Sequence, residues 1–479
     1  YSVTRLANAF IGLTKYEYAI AAYEKGAELL RDKRIFAYNL GDLYRRKGES
    51  KPMIAAYLDA IEDNPDRVRQ LKTIFQRYLT DADYRELQTQ IYERIQAGAE
   101  DAVFPELLAW VFIQRKDYRN ALRQVKALDR RFNENGNRIF NLGMVALEDK
   151  DYPAATAAFD YIVEEKGQGS TLYLEAKRQS LRAQRLSLVE GYDYTPEGLR
   201  TLEAKYLSFL DEFGYTRATA PMILELAELE ALYLNNIDEA ISLLAAMIEY
   251  PGVNPTVQAQ GKLALADYYL MQGDIWEATL LYSQVDKAFK EGILGHEARF
   301  RNARLAYFNG DFQWAQAQFD VLKASTSKLI ANDALDLSVF IMDNLGLDTT
   351  AVALQLYADA ELLVFQNKFE AAFTKMDSIL MLFPEHSLQD DIYYLKGQLY
   401  QKKRDYAKAA EFYQKVYDEF PEDIRADNAV FALAQLYEKQ LGDLEKAKSL
   451  YEILFIDYSN STFAVEARKR FRILRGDNI

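Results

Sequence analysis

The chain has two histidines in 479 residues, and each sits beside a glutamate. His296 opens the stretch "HEARF", which begins like a helical zinc-hydrolase site but lacks the second histidine one turn later that would complete the ligand pair. His386 lies in a turn after Pro384, and no spacing argument joins it to His296. Both histidines therefore read as structural or surface residues. With no cysteine in the chain, disulfides, zinc–thiolate sites and thiol nucleophiles are excluded. No GxSxG nucleophile turn is present. The glycine stretches "GILG" (292–295) and "GQG" (167–169) lack the Lys and Ser/Thr of a phosphate-binding loop, so they read as turns between helices. The acid pair Asp390–Asp391 falls at a helix start, where the helix dipole already favours carboxylates. Asn460 in "NST" has the spacing of a glycosylation acceptor but suits a helix N-terminus equally well, and "RGD" at 475–477 is a short piece of tail. The sequence thus offers no catalytic residue, no metal site and no cofactor site, and it is read as a non-enzyme.

Charge points towards partners. Lys and Arg number 58 against 72 Asp and Glu, a formal charge of −14, which argues against a general nucleic-acid binder because phosphate neutralisation needs a basic surface. One segment departs from that background. Between Arg115 and Arg131 seven cations face only Asp117 and Asp129. Arg119, Arg123, Lys126 and Arg130 recur every three or four residues and so share one helix face. This stripe reads either as a solvated face or as a dock for an acidic partner or an anionic membrane surface.

The elements that carry these residues follow from composition and period. Scarce Gly (22) and Pro (10), with 49% hydrophobic and 27% charged residues, favour a folded helical chain, and no run approaches the roughly 18 apolar residues of a membrane span. Ala19, Met53, Leu87, Ala121 and Ala155 lie 34 residues apart. Tyr23, Tyr57, Ile91, Val125 and Phe159 keep the same step, as do Ala7, Gly41, Phe75, Ala109 and Gly143, and also Phe10, Tyr44, Tyr78, Phe112 and Ala146. Small residues in two of these columns let paired helices approach, and large ones fill the space between neighbouring pairs. The columns return later with a longer step. They run through Ala266/Ala278/Tyr282, Ala303/Ala315/Phe319, Ala360/Ala372/Met376, Gly397/Ala409/Tyr413 and Ala434/Ala447/Tyr451, the last with one extra residue in its inter-helix turn. The histidine stretch at 295–319 is therefore one more copy, with "NGD" as its turn.

The clearest copy is "AYNLGDLYRRKGESKPMIAAYLDAIEDNPD". Its Leu40, Gly41, Tyr44, Tyr57, Ala60 and Pro65 stand at the spacings that identify it as resembling the tetratricopeptide repeat; Met53 departs from the family's small residue. The connectors "LFPEHSLQDD", "EFPEDIRADN" and "DYSNSTFAVEA" resemble those of longer-period repeats in bacterial envelope assembly proteins. The resemblance implies an all-α fold, a right-handed superhelical α-solenoid of tandem helix hairpins. We expect an N-terminal array over 1–165, an irregular helical connector over 166–220, and a C-terminal array over 221–479. A non-consensus helix pair is expected within 325–350, and the basic "EARKRFRILRG" closes the array.

In this family the first helix of each pair lines the concave face. Carried to this chain, that gives Phe300, Arg304, Tyr307, Tyr357, Tyr394, Gln398, Asn428 and Phe431 as a protein-binding groove, with Arg119, Arg123, Lys126 and Arg130 as a separate basic dock. The paired Lys and Asn of the family's carboxylate clamp are not evident. The resulting expectation is a protein-binding scaffold of a bacterial periplasmic or cell-envelope assembly or secretion complex, with other proteins as partners and no nucleic acid. Lack of cysteine leans slightly the same way, whereas the start at Tyr1 says nothing about localisation; a signal peptide or lipid anchor ahead of it would allow peripheral membrane association. The alternatives are a glycan-binding envelope lipoprotein and a cytoplasmic regulatory module.

Overall fold

The computed structural model describes residues 2–98, 102–190, 194–324, 328–345 and 351–477, and among them there is no strand. The chain divides into two compact units, Tyr1–Glu212 and Phe213–Ile479. The first unit runs α1 (Ser2–Gly12), α2 (Tyr16–Leu30), α3 (Ala37–Lys47), α4 (Ser50–Asp63), α5 (Val68–Tyr78), α6 (Asp81–Gln96), α7 (Val103–Gln114), α8 (Tyr118–Phe132), α9 (Asn137–Glu148), α10 (Tyr152–Tyr161), α11 (Tyr173–Glu190) and α12 (Pro196–Phe213). The second runs α13 (Ala220–Leu232), α14 (Ile237–Met247), α15 (Pro255–Gln272), α16 (Ile275–Ala288), α17 (Ile293–Phe308), α18 (Phe312–Lys323), α19 (Lys328–Leu345), α20 (Val352–Phe365), α21 (Phe369–Leu382), α22 (Leu388–Lys402), α23 (Tyr406–Glu419), α24 (Ala426–Leu436), α25 (Leu444–Asp457) and α26 (Ala464–Arg475).

A small residue on the first helix and a ring on the second close the hairpins. A Cβ on Gly143 would lie 2.7 Å from the Phe159 ring, and one on Gly397 would lie 2.6 Å from Tyr413; Gly41 meets Tyr57 in the same way. The ring fills the space the missing side chain leaves, and it is fully buried in all three hairpins. Three of the four 34-residue columns are buried in every copy. The fourth runs from exposed Tyr78 to buried Ala146.

The turns repeat as well. Asp117, Asp151, Asp311, Asp405 and Asp443 each precede a second helix, and their side chains accept a hydrogen bond from the backbone N–H three residues on, at 3.1–3.2 Å. The residue before each aspartate is left-handed. It is Gly310 or Gly442 in two turns, but Lys116, Lys150 and Arg404 in the others. The extra residue of the last full copy is absorbed as a π-helical turn over Tyr437–Leu441, directly before that capped turn.

Two regions depart from the hairpin rule. After α10 the chain makes a π turn (Ile162–Lys166) and a short 3-10 turn before two helices of 18 residues each, α11 and α12. In the later segment a helix pair was expected over 325–350, but one helix is described, α19; residues 325–327 and 346–350 lie outside the described residues. Helix α20 packs on α17 despite the intervening α18 and α19, so α19 stands outside the alternation of first and second helices.

Candidate binding cleft

The aromatic residues expected in the groove follow one packing rule. Tyr38 meets Tyr57 with ring centroids 5.8 Å apart, Phe140 meets Phe159 at 5.4 Å, Phe300 meets Phe319 at 5.8 Å, Tyr394 meets Tyr413 at 5.6 Å and Phe431 meets Tyr451 at 6.2 Å. Each pair joins the two helices of one hairpin. Phe300, Tyr394 and Phe431 are therefore half-buried hairpin aromatics. Tyr307 and Tyr357 are buried, 0% and 3% exposed; Tyr307 contributes only to the floor of a cleft and Tyr357 lines none, and burial of the phenols pushes both well above their ordinary pKa. Gln398 is exposed and Asn428 half-buried.

What opens to solvent around Arg304 is a cleft of about 210 Å³ shared by α17, α19, α20 and α22, with Phe308, Leu337, Val364, Phe365 and Leu395 as its apolar walls. The Arg304 guanidinium lies 5.0 Å from the Phe365 ring centre and 5.7 Å from that of Phe308. Among the described residues it makes no ion pair. Tyr307 donates its hydroxyl to Glu361 at 2.6 Å in the cleft floor, and burial raises the Glu361 pKa. Gln355 donates to the Phe308 carbonyl at 3.1 Å, and Gln366 to the Leu270 carbonyl at 3.2 Å, tying α20 to the ends of α17 and α15.

Behind the cleft lies a buried ionic joint. Arg425, just before α24, donates through Nε to Asp391 Oδ1 on α22 at 2.7 Å. Asn344 at the end of α19 donates to the other Asp391 oxygen at 3.2 Å, and Ser387 donates to Asn344 Oδ1 at 2.7 Å. Burial raises the pKa of both neighbouring acids. Arg425 opposes that rise at Asp391, whereas Asp390, which also feels the charge on Asp391, is pushed up to about 7. The acid pair does stand in the first turn of a helix, but burial and Arg425 govern its chemistry more than the helix dipole does. Phe365 and Asn344 were missed as partners of the groove because they meet Arg304 and Asp391 across the irregular step around α19, where the repeat period gives no register; Arg425 stands one 34-residue step after Asp391, in the connector before α24 and outside the repeat columns.

In the first unit the basic stripe lies on α8 as its spacing requires. Arg119, Arg123 and Arg130 are exposed and Lys126 is half-buried. The stripe is partly engaged: Lys126 Nζ sits 4.6 Å from the Tyr161 ring centre, Arg130 pairs with Glu165 at 3.2 Å, and Arg123 donates to Asn120. His296 and His386 are both half-buried, and no group of three metal-ligating side chains occurs among the described residues.

Family models described as tetratricopeptide repeat match residues 36–67, 390–423 and 428–461. No curated protein matches the chain. Among solved structures, a tetratricopeptide repeat protein from Parabacteroides merdae covers 64% of this chain and 99% of its own length at 12% identity, with a TM-score of 0.34. Yeast Tom70 covers 99% of this chain and 94% of its own length at 15% identity, with a TM-score of 0.33. The repeat columns, the Gly–ring hairpins and the family matches agree that the chain carries tetratricopeptide repeats, set in an all-helical succession of tandem hairpins.

Proposed function

We propose that this protein-interaction scaffold is non-catalytic and holds partner proteins at the Arg304 cleft, within a bacterial cell-envelope assembly or secretion apparatus. The observation that carries the reading is the cleft itself: a guanidinium held against two neighbouring phenylalanine rings, with apolar walls supplied by four helices. Such a site is preformed, so a partner segment is bound without the cost of ordering the receptor. Apolar walls around one fixed charge suit a side-chain anchor of another protein. The envelope setting rests on the style of the later connectors and on the absence of cysteine. The α8 stripe is a second, weaker contact area for an acidic partner or an anionic membrane surface.

The test is photo-crosslinking in the native cell from positions 304, 365 and 398, with adducts identified by mass spectrometry. The reading expects a defined set of envelope proteins, captured from 304 and 365 and lost when Phe308 is replaced by Glu. Adducts from 398 alone would move the site away from the cleft. Capture of cytosolic proteins only would remove the envelope setting, and turnover of a small molecule at the cleft would remove the scaffold reading.

A further inference from the structure

The outward faces of the second helices can be compared position by position, because each helix begins at an equivalent turn. Two and six residues past the residue that precedes the helix, α14 carries Asp238 and Ser242, α21 carries Glu370 and Thr374, and α8 carries Arg119 and Arg123, all exposed. At the same two places α16 carries Trp276, 87% exposed, and Leu280, 54% exposed. The next second helix, α18, adds Trp314 and Val321, 40% and 55% exposed. Two of the three tryptophans of the chain thus stand in solvent on consecutive second helices. Large apolar side chains clustered on an otherwise polar face mark a contact surface.

Charge identifies what covers it. Along α16, Trp276, Leu280, Ser283 and Lys287 fall at steps of four, three and four residues and form one stripe. The N-terminal end of this face carries exposed Asp274 and Glu277, and the C-terminal end carries exposed Lys287 and Lys290. This arrangement is its own complement. Turned end for end about an axis between Leu280 and Ser283, the stripe sets Trp276 of one copy against Lys287 of the other, and brings Asp274 and Glu277 within a turn of Lys290 and Lys287. Each copy then offers the indole face to a cation and its acids to the opposite lysines, as a two-fold contact requires. The acids beside Trp276 count against an anionic lipid surface as the occupant.

We infer that the outward face of α16 is a self-association surface on which a second copy of this chain packs antiparallel across a two-fold axis. A contact made by one or two helices per copy is small, so the dimer is reversible and depends on concentration. This inference does not depend on the Arg304 cleft.

Sedimentation velocity on the full chain over a wide concentration range tests it. The wild type shifts from monomer to dimer as concentration rises, and Trp276→Glu stays monomeric with an unchanged helical circular dichroism spectrum. Lys287→Glu weakens association by about fivefold or more, since one substitution puts like charges together at two symmetric places. The double variant Glu277→Lys/Lys287→Glu restores association. A wild type that is monomeric at every concentration overturns the inference, and so does a dimer that survives Trp276→Glu. Failure of the double variant to recover overturns the antiparallel register.

Discussion

The hairpins α9/α10 and α22/α23 share the same Gly–ring closure, yet their surroundings are held by different forces. Around Gly143 and Phe159 the helix contact is apolar, continuous with Ile139, Leu142, Ala155 and Ile162, and the one buried acid, Asp129, is met only at the hairpin's end, by Gly136, Tyr161 and Lys166. Around α22 the helices meet through Asp391, Arg425, Asn344 and Ser387, with Tyr307 and Glu361 alongside. The difference follows from the step each region takes. Where hairpins succeed one another regularly, side chains of matched size interlock and shape carries most of the contact. Where α19 intervenes and α20 returns to α17, the columns no longer meet in register, and directional polar bonds specify the joint.

Four experiments would break or sharpen this contrast. The largest effect is expected at the ionic joint: Arg425→Leu leaves Asp391 buried without its cation and should cost about 3–5 kcal/mol, read from denaturant midpoints and from hydrogen exchange in α22 and α24. Combining it with Asp391→Asn should recover part of the loss; no recovery would mean that Arg425 acts mainly through packing. In the apolar region, Gly143→Leu drives a side chain into the Phe159 ring and should cost about 1–3 kcal/mol, with the added cost confined to α9 and α10. Tyr307→Phe removes the donor to Glu361 and should cost about 1 kcal/mol, while an unchanged midpoint would show that Glu361 needs no partner there.

The smallest effect concerns pH. Asp390 has a folded pKa of about 7 against an ordinary 3.8, so the folded state holds its proton more tightly. Its contribution therefore falls as pH rises through that interval and is constant above it. Asp42 in the first unit has the opposite sign. Burial works against its charge, but Arg45 and Arg46 hold its pKa below the ordinary value, so its contribution is present above the unfolded pKa and lost as pH falls through the folded one. Melting midpoints between pH 4 and 8 should show Asp390→Asn flattening the slope for α22 exchange and leaving α3 unchanged.

Much of this architecture was legible in the sequence because the repeat writes it several times. Gly41, Gly143 and Gly397, each sixteen residues before its ring, specify a helix contact that copies at other positions confirm. The groove was less legible for the same reason. Phe300, Tyr394 and Phe431 recur because they close hairpins, and recurrence looks alike whether a ring packs inward or faces a partner. Arg304 was found by its position on a first helix, but its setting against Phe308 and Phe365 was not, since the second ring arrives from beyond α19. Asp390 and Asp391 looked like ordinary helix-start acids because Arg425, 34 residues later, is not marked as their neighbour by any local pattern.

The placement of the indoles gives the two units separate optical signatures. Trp110 of the first unit is half-buried against Tyr84 and lies 5.7 Å below the Lys72 ammonium, whereas Trp276 and Trp314 of the second stand in water. Near-ultraviolet emission from the native chain should therefore contain a shorter-wavelength, shielded component and a longer-wavelength component open to acrylamide quenching. Loss of the shielded component alone would report melting of α7, without a label or an engineered probe.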